Sequence, residues 1–471
     1  MRILTDDLRI GCAAQPAVRQ AALETGRIPK KTFLGIGISV TGHADVIRFI
    51  TQTARARGKA LVNNVNAHAM NIAYGNARFA AILNDSEIVF CDGFGVKALA
   101  RLSGICLGER MTPRDWIDEL IARCAQERLS LYFLGCEDKV VRAFADEAAR
   151  RHPTAIIAGC HHGYFDTQGE DNRSVIKAIN DSGADVVLVG MGMPRQEIWA
   201  HEALRELDHG VVLAVGALFK VYTGIEKPCP GWVSRCGFEW LWRLAHEPLR
   251  LARRYLIGNA ALILRVCYAA FVKRLIGFFL ACLLLALCTP LLALFCALIR
   301  LETRGSALFR QERVGKDGKR IWIYRLRTLK SDFPPCASKH QVSPESITRI
   351  GRFLRRTTLD KLPQLINVIR GDMALVGPRP EMPFIADSFS GVETLRLSVK
   401  PGITGPWQIV RLRREICGRE IHKDITYDLN YVRRLGFFLD ARILAQTVCY
   451  LAAMPFHGLL GGRGNASRDQ D

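Results

Sequence analysis

The sequence predicts an α/β protein in which an N-terminal domain with a mostly parallel sheet precedes an apolar helix and a second domain. Three observations predict this order. Short apolar runs alternate with amphipathic helical patterns from about Phe33 to Ala217. A basic, tryptophan-rich segment begins near Gly231. It is followed by 25 residues without a charge, Leu275 to Ile299, which suit a membrane.

The alternating pattern in the first half contains seven candidate strands, separated by helical stretches such as Lys139–Arg151. In open sheets of this kind, ligands bind beyond the carboxyl ends of the strands. The residues that follow each strand are therefore the first candidates for chemistry. The predicted strands are Phe33–Val40, Ala60–Val65, Glu87–Phe90, Leu131–Leu134, Ala155–Ala158, Asp185–Val189 and Val211–Val215.

The composition indicates anionic partners and a reducing compartment. The 471 residues carry a formal net charge of +20, which favours nucleic acid, anionic lipid or phosphorylated substrates. Fifteen cysteines occur without any C-x-x-C pair, a pattern that fits neither a zinc site nor a disulfide framework. The first twelve residues lack an apolar stretch, so no secretory signal is expected.

The segment from Gly231 to Arg274 has the composition of a membrane-surface binder. It contains eight Lys and Arg residues against two acids, Glu239 and Glu247, and aromatic residues lie between them. Basic, aromatic and amphipathic segments bind the surface of anionic membranes. The alternative is an ordinary solvated helix that packs its tryptophans inward.

The apolar run from Leu275 to Ile299 is long enough, at 1.5 Å per residue, to cross about 30 Å of hydrocarbon. Thr289-Pro290 interrupts it, and proline removes a backbone donor and kinks a helix. Both flanks are basic, and positive flanks favour the cytoplasmic side. A re-entrant helix that is broken at Thr289-Pro290 satisfies both observations. A straight span and a buried soluble helix are the alternatives.

The chain after Arg300 is soluble in character and strongly basic. The run LFRQERVGKDGKRIWIYRLRT predicts a β-hairpin with Asp317-Gly318 at its turn. Residues Asp360 to Arg370 predict a short helix, with Pro363 near its start and a glycine after its end. The last residues, 456–471, predict a loose tail.

Polar residues in the first half follow the predicted strands. Asp92 comes after the strand that ends at Phe90, where a carboxylate can serve as a general base or cap the next helix. Asn64 and Asn66 end an earlier strand, where amides can bind sugar hydroxyls. The segment VVLVGMGMPRQEIW passes from a strand through glycines into a helix, and its free N–H groups with Arg195 suit a phosphate.

Five ordered segments make the first half resemble the WecG/TagA/CpsF glycosyltransferase family, over about residues 32–259: NNVNAHAMNIAY, FCDGFGVKALARL, GERMTPRD, GMGMPRQEIW and GFEWLWRLAHEPLRLARRYL. The resemblance implies a Rossmann-like domain that adds a second sugar to a polyprenyl-diphosphate-linked sugar, with inversion and without a metal. It also implies that the basic segment docks on the membrane. Asp92 would be the general base, and Asn66, Arg110 and Gln196 would line the substrate site. The chain departs from the family at Asn64, where threonine is usual, and at Lys220, where aspartate is usual.

Six further segments make residues 273–454 resemble the bacterial sugar transferases, which are monotopic polyprenyl-phosphate sugar-phosphate transferases. They are KRLIGFFLACLLLALCTPLLAL, FRQERVGKDGK, IYRLRTLK, IGRFLRRTTLDKLPQLINVIRGD, MALVGPRPE and KPGITGPWQ. The resemblance implies a re-entrant helix, a mostly helical domain and transfer of sugar-1-phosphate from a UDP-sugar to undecaprenyl phosphate.

By the same resemblance, Asp360 is the nucleophile, and a carboxylate suits that role because its acyl phosphate is reactive enough to leave again. The positions that would neutralise phosphate charge are Arg325, Arg327, Arg355 and Arg379. Lipid-headgroup binding is the alternative role for these arginines. The resemblance also implies Mg²⁺ as a cofactor of this module, held with the help of the family's second acidic residue. Here the pair is Asp360-Lys361, and lysine cannot bind Mg²⁺ as a carboxylate does.

These predictions combine into a bifunctional enzyme of surface-polysaccharide assembly at the cytoplasmic face of a bacterial inner membrane. The alternative is one active glycosyltransferase on a catalytically silent membrane anchor, which Lys361 motivates. The expected partners are UDP-sugars, undecaprenyl phosphate, its lipid-linked sugar and the membrane, with a homo-oligomer left open. No nucleic-acid motif occurs. The predicted domains are residues 1–31 (extension), 32–230 (glycosyltransferase), 231–274 (docking segment), 275–299 (membrane helix), 300–455 (sugar transferase) and 456–471 (tail).

Overall fold

The computed structural model describes residues 28–227, 229–330, 344–412 and 425–460. Residues 1–27 of the predicted extension and residues 461–471 of the predicted tail lie outside the described residues. The chain divides into two compact units, Met1–Val266 and Cys267–Asp471. The boundary between them falls inside the predicted docking segment.

The first unit contains eight strands and most of the helices. Its strands are β1 (Lys30–Phe33), β2 (Ile36–Ser39), β3 (Lys59–Val65), β4 (Ile88–Cys91), β5 (Ser130–Gly135), β6 (Ile156–His161), β7 (Val186–Gly190) and β8 (Gly210–Ala214). Its helices are α1 (His43–Arg55), α2 (Ala67–Gly75), α3 (Ala77–Asp85), α4 (Phe94–Leu102), α5 (Pro113–Gln126), α6 (Asp138–Arg151), α7 (Glu170–Ser182), α8 (Arg195–Glu206), α9 (Leu218–Tyr222), α10 (Gly231–Arg235), α11 (Glu239–His246), α12 (Pro248–Ala252) and α13 (Gly258–Cys267).

Six of these strands form one parallel sheet in the order β4-β3-β8-β7-β5-β6, which confirms the predicted α/β architecture. Alternate residues of each strand point to opposite faces, and both faces are covered by helices. Phe133 packs with Phe144 and Phe219 on one face, and Leu134 packs with Trp199 on the other. Because all six strands are parallel, their carboxyl ends meet at one edge of the sheet.

One predicted strand is wrong. Residues Phe33–Val40 were expected to form a single strand, but the chain turns at Leu34-Gly35 and makes an antiparallel hairpin of β1 and β2. Leu34 has a φ of 47°, in the left-handed region that leucine rarely adopts. Tertiary packing fixes this turn, because Phe33 and Ile36 on its two sides are buried in the core.

The second unit is mostly helical, as predicted. Its helices are α14 (Lys273–Glu302), α15 (Arg349–Thr357), α16 (Gln364–Arg370), α17 (Pro383–Ala386), α18 (Pro406–Leu412), α19 (Thr426–Arg433) and α20 (Phe437–Leu460). Its strands form an antiparallel hairpin, β9 (Leu308–Val314) with β10 (Arg320–Leu326), and a parallel pair, β11 (Ala374–Val376) with β12 (Gly402–Thr404).

Two local predictions in this unit can be compared with the structure. The predicted hairpin turn is confirmed, since Asp317 and Gly318 have φ values of 55° and 78° between β9 and β10. The predicted helix from Asp360 to Arg370 is divided instead into a 3₁₀ turn, Leu359–Lys361, and α16. Pro363 is the N-cap of α16, because proline has no N–H to continue a helix from the preceding turn.

The apolar run lies in α14, and the helical stretch Pro248–Glu302 that contains it is the one among the described residues that is long and apolar enough to cross a membrane. The expected break at Thr289-Pro290 is absent, since α14 is continuous through Pro290. The Thr289 hydroxyl donates to the carbonyl of Leu285 at 2.7 Å, within the turn where proline has no donor.

Both halves of α14 pack against the same unit. Gly277 and Ala281, near its start, are buried, and Ala281 joins a cluster with Leu365 of α16. Phe295 and Ile299, near its end, join a second cluster with Leu326 and Leu354. Outward-facing residues of α14 are largely exposed, among them Leu275, Phe279, Leu283, Leu287 and Leu294.

A buried polar network fixes the start of α14. The Asp440 carboxylate of α20 accepts hydrogen bonds from the hydroxyls of Tyr268 at 2.5 Å and Tyr431 at 2.6 Å. Lys273, the first residue of α14, pairs with the same carboxylate at 3.0 Å. The charge on Asp440 is therefore compensated by one cation and two donors, as a buried carboxylate requires.

Candidate functional site

Asp92 is the first residue after β4, and the neighbouring strand holds its backbone. Its N–H donates to the carbonyl of Val65 at 2.8 Å. Gly93 follows with a φ of 92°, a conformation that glycine adopts without strain, and the chain turns there into α4. The partly buried carboxylate stands at the carboxyl edge of the sheet, where parallel α/β sheets bind their ligands.

Asn66 orients the Asp92 carboxylate. Its Oδ1 accepts hydrogen bonds from the backbone N–H groups of His68 at 3.0 Å and Ala69 at 3.1 Å, which caps α2. Its Nδ2 donates to Asp92 Oδ2 at 3.4 Å. Because the cap uses the amide oxygen, the amide nitrogen must face Asp92. The structure brings these two predicted residues together.

Charged residues from the C-terminal part of the first unit surround Asp92. Burial raises the pKa of the Asp92 carboxyl, and the Glu239 carboxylate raises it further, whereas Arg243 and Asn66 lower it. Arg243 Nη2 lies 2.7 Å from Glu239 Oε1. Arg254 also has Asp92 among its charged neighbours. Asp92 thus combines the properties of a proton acceptor with cations that suit phosphate.

Two other predicted residues are buried beneath this edge of the sheet. Asn64 is 3 % exposed, and its Nδ2 donates to the carbonyl of Ala214 at 2.9 Å, across to β8. Gln196 is 0 % exposed, and its Oε1 accepts from the N–H groups of Gly192 at 3.1 Å and Gly216 at 3.2 Å. In this structure both amides hold the strand ends and loops that form the floor of the site.

Arg110 binds protein groups in the same unit. Its Nη1 donates to the backbone carbonyl of Ser234 at 2.9 Å and to the Ser234 hydroxyl at 3.0 Å, and its Nη2 lies 3.5 Å from Asp115. The loop that carries it is fixed to β4, since the N–H of Met111 donates to the carbonyl of Cys91 at 3.0 Å. Arg110 therefore ties α10 to the end of β4, next to Asp92.

The sequence reasoning did not assign Glu239, Arg243 or Arg254 to the site. It placed their segment on the membrane as a whole. In the structure the segment has two faces, because the charges of these three side chains interact with Asp92 while Trp232 and Leu249 are 68 % and 99 % exposed. The spacing of Glu239 and Arg243, four residues apart, was the available signal.

The second candidate site is built around Asp360. Thr358, with a φ of 57°, turns the chain out of α15, and the 3₁₀ turn that follows places Asp360 beside β10. Asp360 is 9 % exposed, and its Oδ2 lies 4.0 Å from Arg325 Nη1. The Arg325 guanidinium has its Nε buried without a hydrogen-bond partner among the described residues. A carboxylate and a partly unsatisfied cation thus face each other.

A third arginine brings the cations of this site together. Arg313 of β9 is 8 % exposed, and burial lowers its pKa to about 9, with a further lowering by the charges of Arg325 and Arg379. Asp360 and Arg325 are also the charged neighbours of Arg355, whose Nε donates to the Thr328 hydroxyl at 2.9 Å. The structure therefore places two of the four predicted arginines, Arg325 and Arg355, beside Asp360, and it places Arg313 near Arg325 and Arg379.

The fourth predicted arginine, Arg327, has a different environment. Its guanidinium donates to the carbonyls of Thr303 and Arg304, each at 2.9 Å, and to the Thr303 hydroxyl at 2.7 Å. These contacts satisfy backbone acceptors at the end of α14, where a helix leaves carbonyls without partners. Arg327 thereby connects the membrane helix to β10.

Comparison with known proteins assigns each unit to a family. The profile of the glycosyl transferase WecG/TagA/CpsF family matches residues 31–275, and the profile of the bacterial sugar transferases matches residues 268–453. The first match covers more than half of the chain and includes Asp92, Glu239, Arg243 and Arg254. The second includes α14 and the site around Asp360.

Known proteins are similar to part of the chain. A UDP-glucose:undecaprenyl-phosphate glucose-1-phosphate transferase of Caulobacter vibrioides is 40% identical over 182 residues, which are 37% of this chain and 68% of that protein. A protein of the same name from Escherichia coli is 37% identical over 181 residues, but the chain covers 39% of its length. A putative undecaprenyl-phosphate N-acetylgalactosaminyl 1-phosphate transferase of Bacillus subtilis is 45% identical over 119 residues, 25% of this chain and 66% of that protein. The chain is therefore a sugar transferase that belongs to the WecG/TagA/CpsF glycosyltransferase family in its first unit and to the bacterial sugar transferase family in its second.

Proposed function

We propose that the chain is a bifunctional enzyme of surface-polysaccharide assembly. The second unit transfers sugar-1-phosphate from a UDP-sugar to undecaprenyl phosphate, and the first unit adds the next sugar to that lipid-linked product. The adjoining family matches and the names of the relatives support this pairing of activities. The observation that carries the proposal is the buried carboxylate of Asp360 facing Arg325 and Arg355, with Arg313 next to Arg325.

The cation cluster suits phosphoryl transfer. The charges of Arg325 and Arg379 both disfavour the charged form of Arg313, and an anion bound beside Arg313 would reduce that cost. In the proposed reaction an Asp360 oxygen attacks the sugar-linked phosphorus of the UDP-sugar. The bond from that phosphorus to the bridging oxygen breaks, and UMP leaves. A phosphate oxygen of undecaprenyl phosphate then attacks the same phosphorus, which releases Asp360 and forms the lipid diphosphate sugar.

The first unit acts on that lipid-linked sugar. Asp92 takes the proton of an acceptor hydroxyl, whose oxygen attacks the anomeric carbon of a second UDP-sugar with inversion while UDP leaves. Arg243 and Arg254 lie close enough to Asp92 to interact with its charge, and they are the cations available for phosphate there. No group of three or more His, Cys, Asp or Glu side chains in the described parts of this unit could hold a metal.

The described residues around Asp360 do not fit Mg²⁺ either. That ion is usually held by one or two carboxylates together with waters and substrate phosphates, and nearby cations oppose its binding. Here arginines are the neighbours of Asp360, the next residue is Lys361, and Glu381 pairs with Arg396 at 3.2 Å. The described side chains contain no group of three or more His, Cys, Asp or Glu that could hold a metal. We therefore assign charge neutralisation at this site to the arginines.

We further propose that α14, which is continuous in this structure, bends at Thr289-Pro290 when it enters lipid and so becomes re-entrant, and that both units face the cytoplasm. Its two halves pack on one unit, around Ala281 and around Ile299, and both of its flanks are basic. A helix that crossed the bilayer would carry its last turns to the far side, away from the unit that buries them. The exposed apolar residues of α14 would contact acyl chains.

A two-product assay tests the bifunctional proposal. Purified full-length protein in bilayer discs is given undecaprenyl phosphate and a panel of UDP-sugars, and UMP and UDP are measured separately. Asp360→Asn should abolish UMP release, because an amide is a poor nucleophile toward phosphorus. Asp92→Asn should abolish UDP release that depends on a lipid-linked sugar and leave UMP release intact. Failure of folded wild type to release UMP from any donor would refute the bifunctional proposal.

Lys361 favours a second candidate function. In that case the second unit is a silent anchor that holds one active glycosyltransferase at the membrane. The same assay separates the two candidates, since an anchor supports UDP release from supplied lipid-linked sugar without releasing UMP.

A further inference from the structure

Glu239, at the start of α11, joins two segments that lie over the end of β4. Its Oε1 pairs with Arg243 at 2.7 Å, and its Oε2 accepts a hydrogen bond from the Ser234 hydroxyl at 3.5 Å. Each carboxylate oxygen thus has its own partner, which limits the rotation of the side chain. A surface glutamate that only solubilised the helix would need neither contact.

Independent contacts place this segment at Asp92. Arg110, on the loop bound to the end of β4, donates to both the carbonyl and the hydroxyl of Ser234. The turn before α11 also abuts α4, since a Cβ on Gly237 would lie 2.7 Å from the ring of Phe94. Phe94 is the second residue after Asp92. Two separate contacts therefore fix the start of α11 relative to the carboxylate.

We propose that Glu239 is a positioning residue, which holds Arg243 beside Asp92 and sets the charge around the proposed base. The inference rests on the role of Asp92 in the proposed function. Glu239 touches neither the reacting atoms nor a phosphate in this proposal. It acts through Arg243, whose charge reaches Asp92, and through its own charge.

The charged and polar groups that face Asp92 come from five elements. Glu239 and Arg243 lie on α11, Arg254 lies in the π turn after α12, Cys91 ends β4, and Asn66 and Thr112 come from two loops. Among these, Glu239 is the one acid besides Asp92 in the described part of the site. Removal of its charge should therefore favour ionised Asp92, and removal of the Arg243 charge should disfavour it.

The test is a pH titration of the Asp92 carboxyl by difference infrared spectroscopy, with the full-length protein in detergent and Asp92→Asn to assign the band. Glu239→Gln keeps the size of the side chain and should move the midpoint to lower pH, by on the order of one pH unit. Arg243→Gln should move it to higher pH. Glu239→Asp keeps the charge and should stay nearer to wild type. Glu247→Gln, on the same segment but outside the charged neighbours of Asp92, is the matched control.

The outcomes separate this inference from the proposed function. Glu239→Gln keeps an oxygen that accepts from Arg243, whereas Glu239→Ala removes the acceptor as well as the charge, so the midpoint of Glu239→Ala should lie at higher pH than that of Glu239→Gln. Equal midpoints in the two folded variants would overturn the positioning role, whatever the turnover. Near-wild-type sugar transfer by Asp92→Asn would instead overturn the base, and the role of Glu239 with it. When transfer is measured, the acidic limb of the kcat/KM profile should shift in the same direction as the titration, because only ionised Asp92 accepts the proton.

Discussion

At the scale of single residues, the charge beside Asp360 decides what the second site binds. Because a lysine, and not a second acid, follows Asp360, we expect the site to work without a divalent ion. UMP release should therefore persist in EDTA. Lys361→Glu should create a site for a divalent ion, seen as a change in the electron paramagnetic resonance spectrum of added Mn²⁺. It should also lower the rate of UMP release by about 10- to 100-fold, because the remaining groups are arranged around a positive charge.

The neutral variant Lys361→Gln is the matched control, since it removes the ammonium without adding a ligand. Loss of UMP release in EDTA, with recovery on addition of Mg²⁺, would contradict the assignment of charge neutralisation to the arginines. A gain of metal-dependent activity in Lys361→Glu from a wild type that releases no UMP would support the silent anchor.

A second residue-scale prediction concerns Glu197 of α8, which is 0 % exposed. Burial raises the pKa of its carboxyl from 4.5 to about 7. The folded protein therefore keeps this proton to higher pH than the unfolded chain does, and the free energy of unfolding falls by about 3 kcal/mol between about pH 4.5 and 7. Glu197→Gln should remove that loss, so the variant gains stability relative to wild type at pH 8 and not at pH 4.

Thermal unfolding of the full-length protein in detergent at the two pH values measures this difference. Glu202→Gln is the control, because Glu202 lies on the same helix with an exposed side chain that pairs with Arg78. An equal pH dependence in wild type and Glu197→Gln would show that Glu197 ionises normally in the folded protein.

At the scale of elements, the orientation of α14 is the main prediction. Two cysteines report on the two sides of α14: one introduced at Ser306, just after the helix, and the native exposed Cys236 before it. If the helix is re-entrant, both should resist a membrane-impermeant maleimide applied to the periplasmic side. Both should react after the inner membrane is opened, which controls for accessibility. Labelling of Ser306→Cys alone from the periplasm would establish a straight span.

The elements also show how much of the fold and of the candidate sites the sequence predicts. Apolar runs that alternate with helical patterns predicted a mostly parallel sheet, because burial on both faces gives each strand a continuous apolar run. The hairpin at Leu34 was missed, since a leucine with positive φ leaves no local signal. Asp92, Asn66 and Asp360 followed from strand ends and motifs. The role of Glu239 depends on a contact between Arg110 and Ser234, 124 residues apart, which no local pattern contains.

At the scale of the whole molecule, the fusion should keep the lipid intermediate near the second active site. The test is a mixture of full-length Asp92→Asn and full-length Asp360→Asn, in which each variant keeps one working site. When the protein is dilute in vesicles, we expect this mixture to make the two-sugar lipid about 10-fold more slowly than wild type. The deficit should disappear as protein density rises. Equal rates at every dilution would show that the intermediate spreads through the bilayer before it is used.

The hydrogen bond between Tyr268 and Asp440 has a consequence for biosynthesis. The two residues are 172 positions apart, and α14 begins directly after the first of them. At a translation rate of about 5–20 residues per second, Asp440 is made roughly 10–30 s after Tyr268. During that interval the apolar helix has left the ribosome without the helix that ties down its start. If α14 enters lipid as proposed, we therefore expect it to do so first, and we expect the catalytic unit to close around a helix that is already in the bilayer.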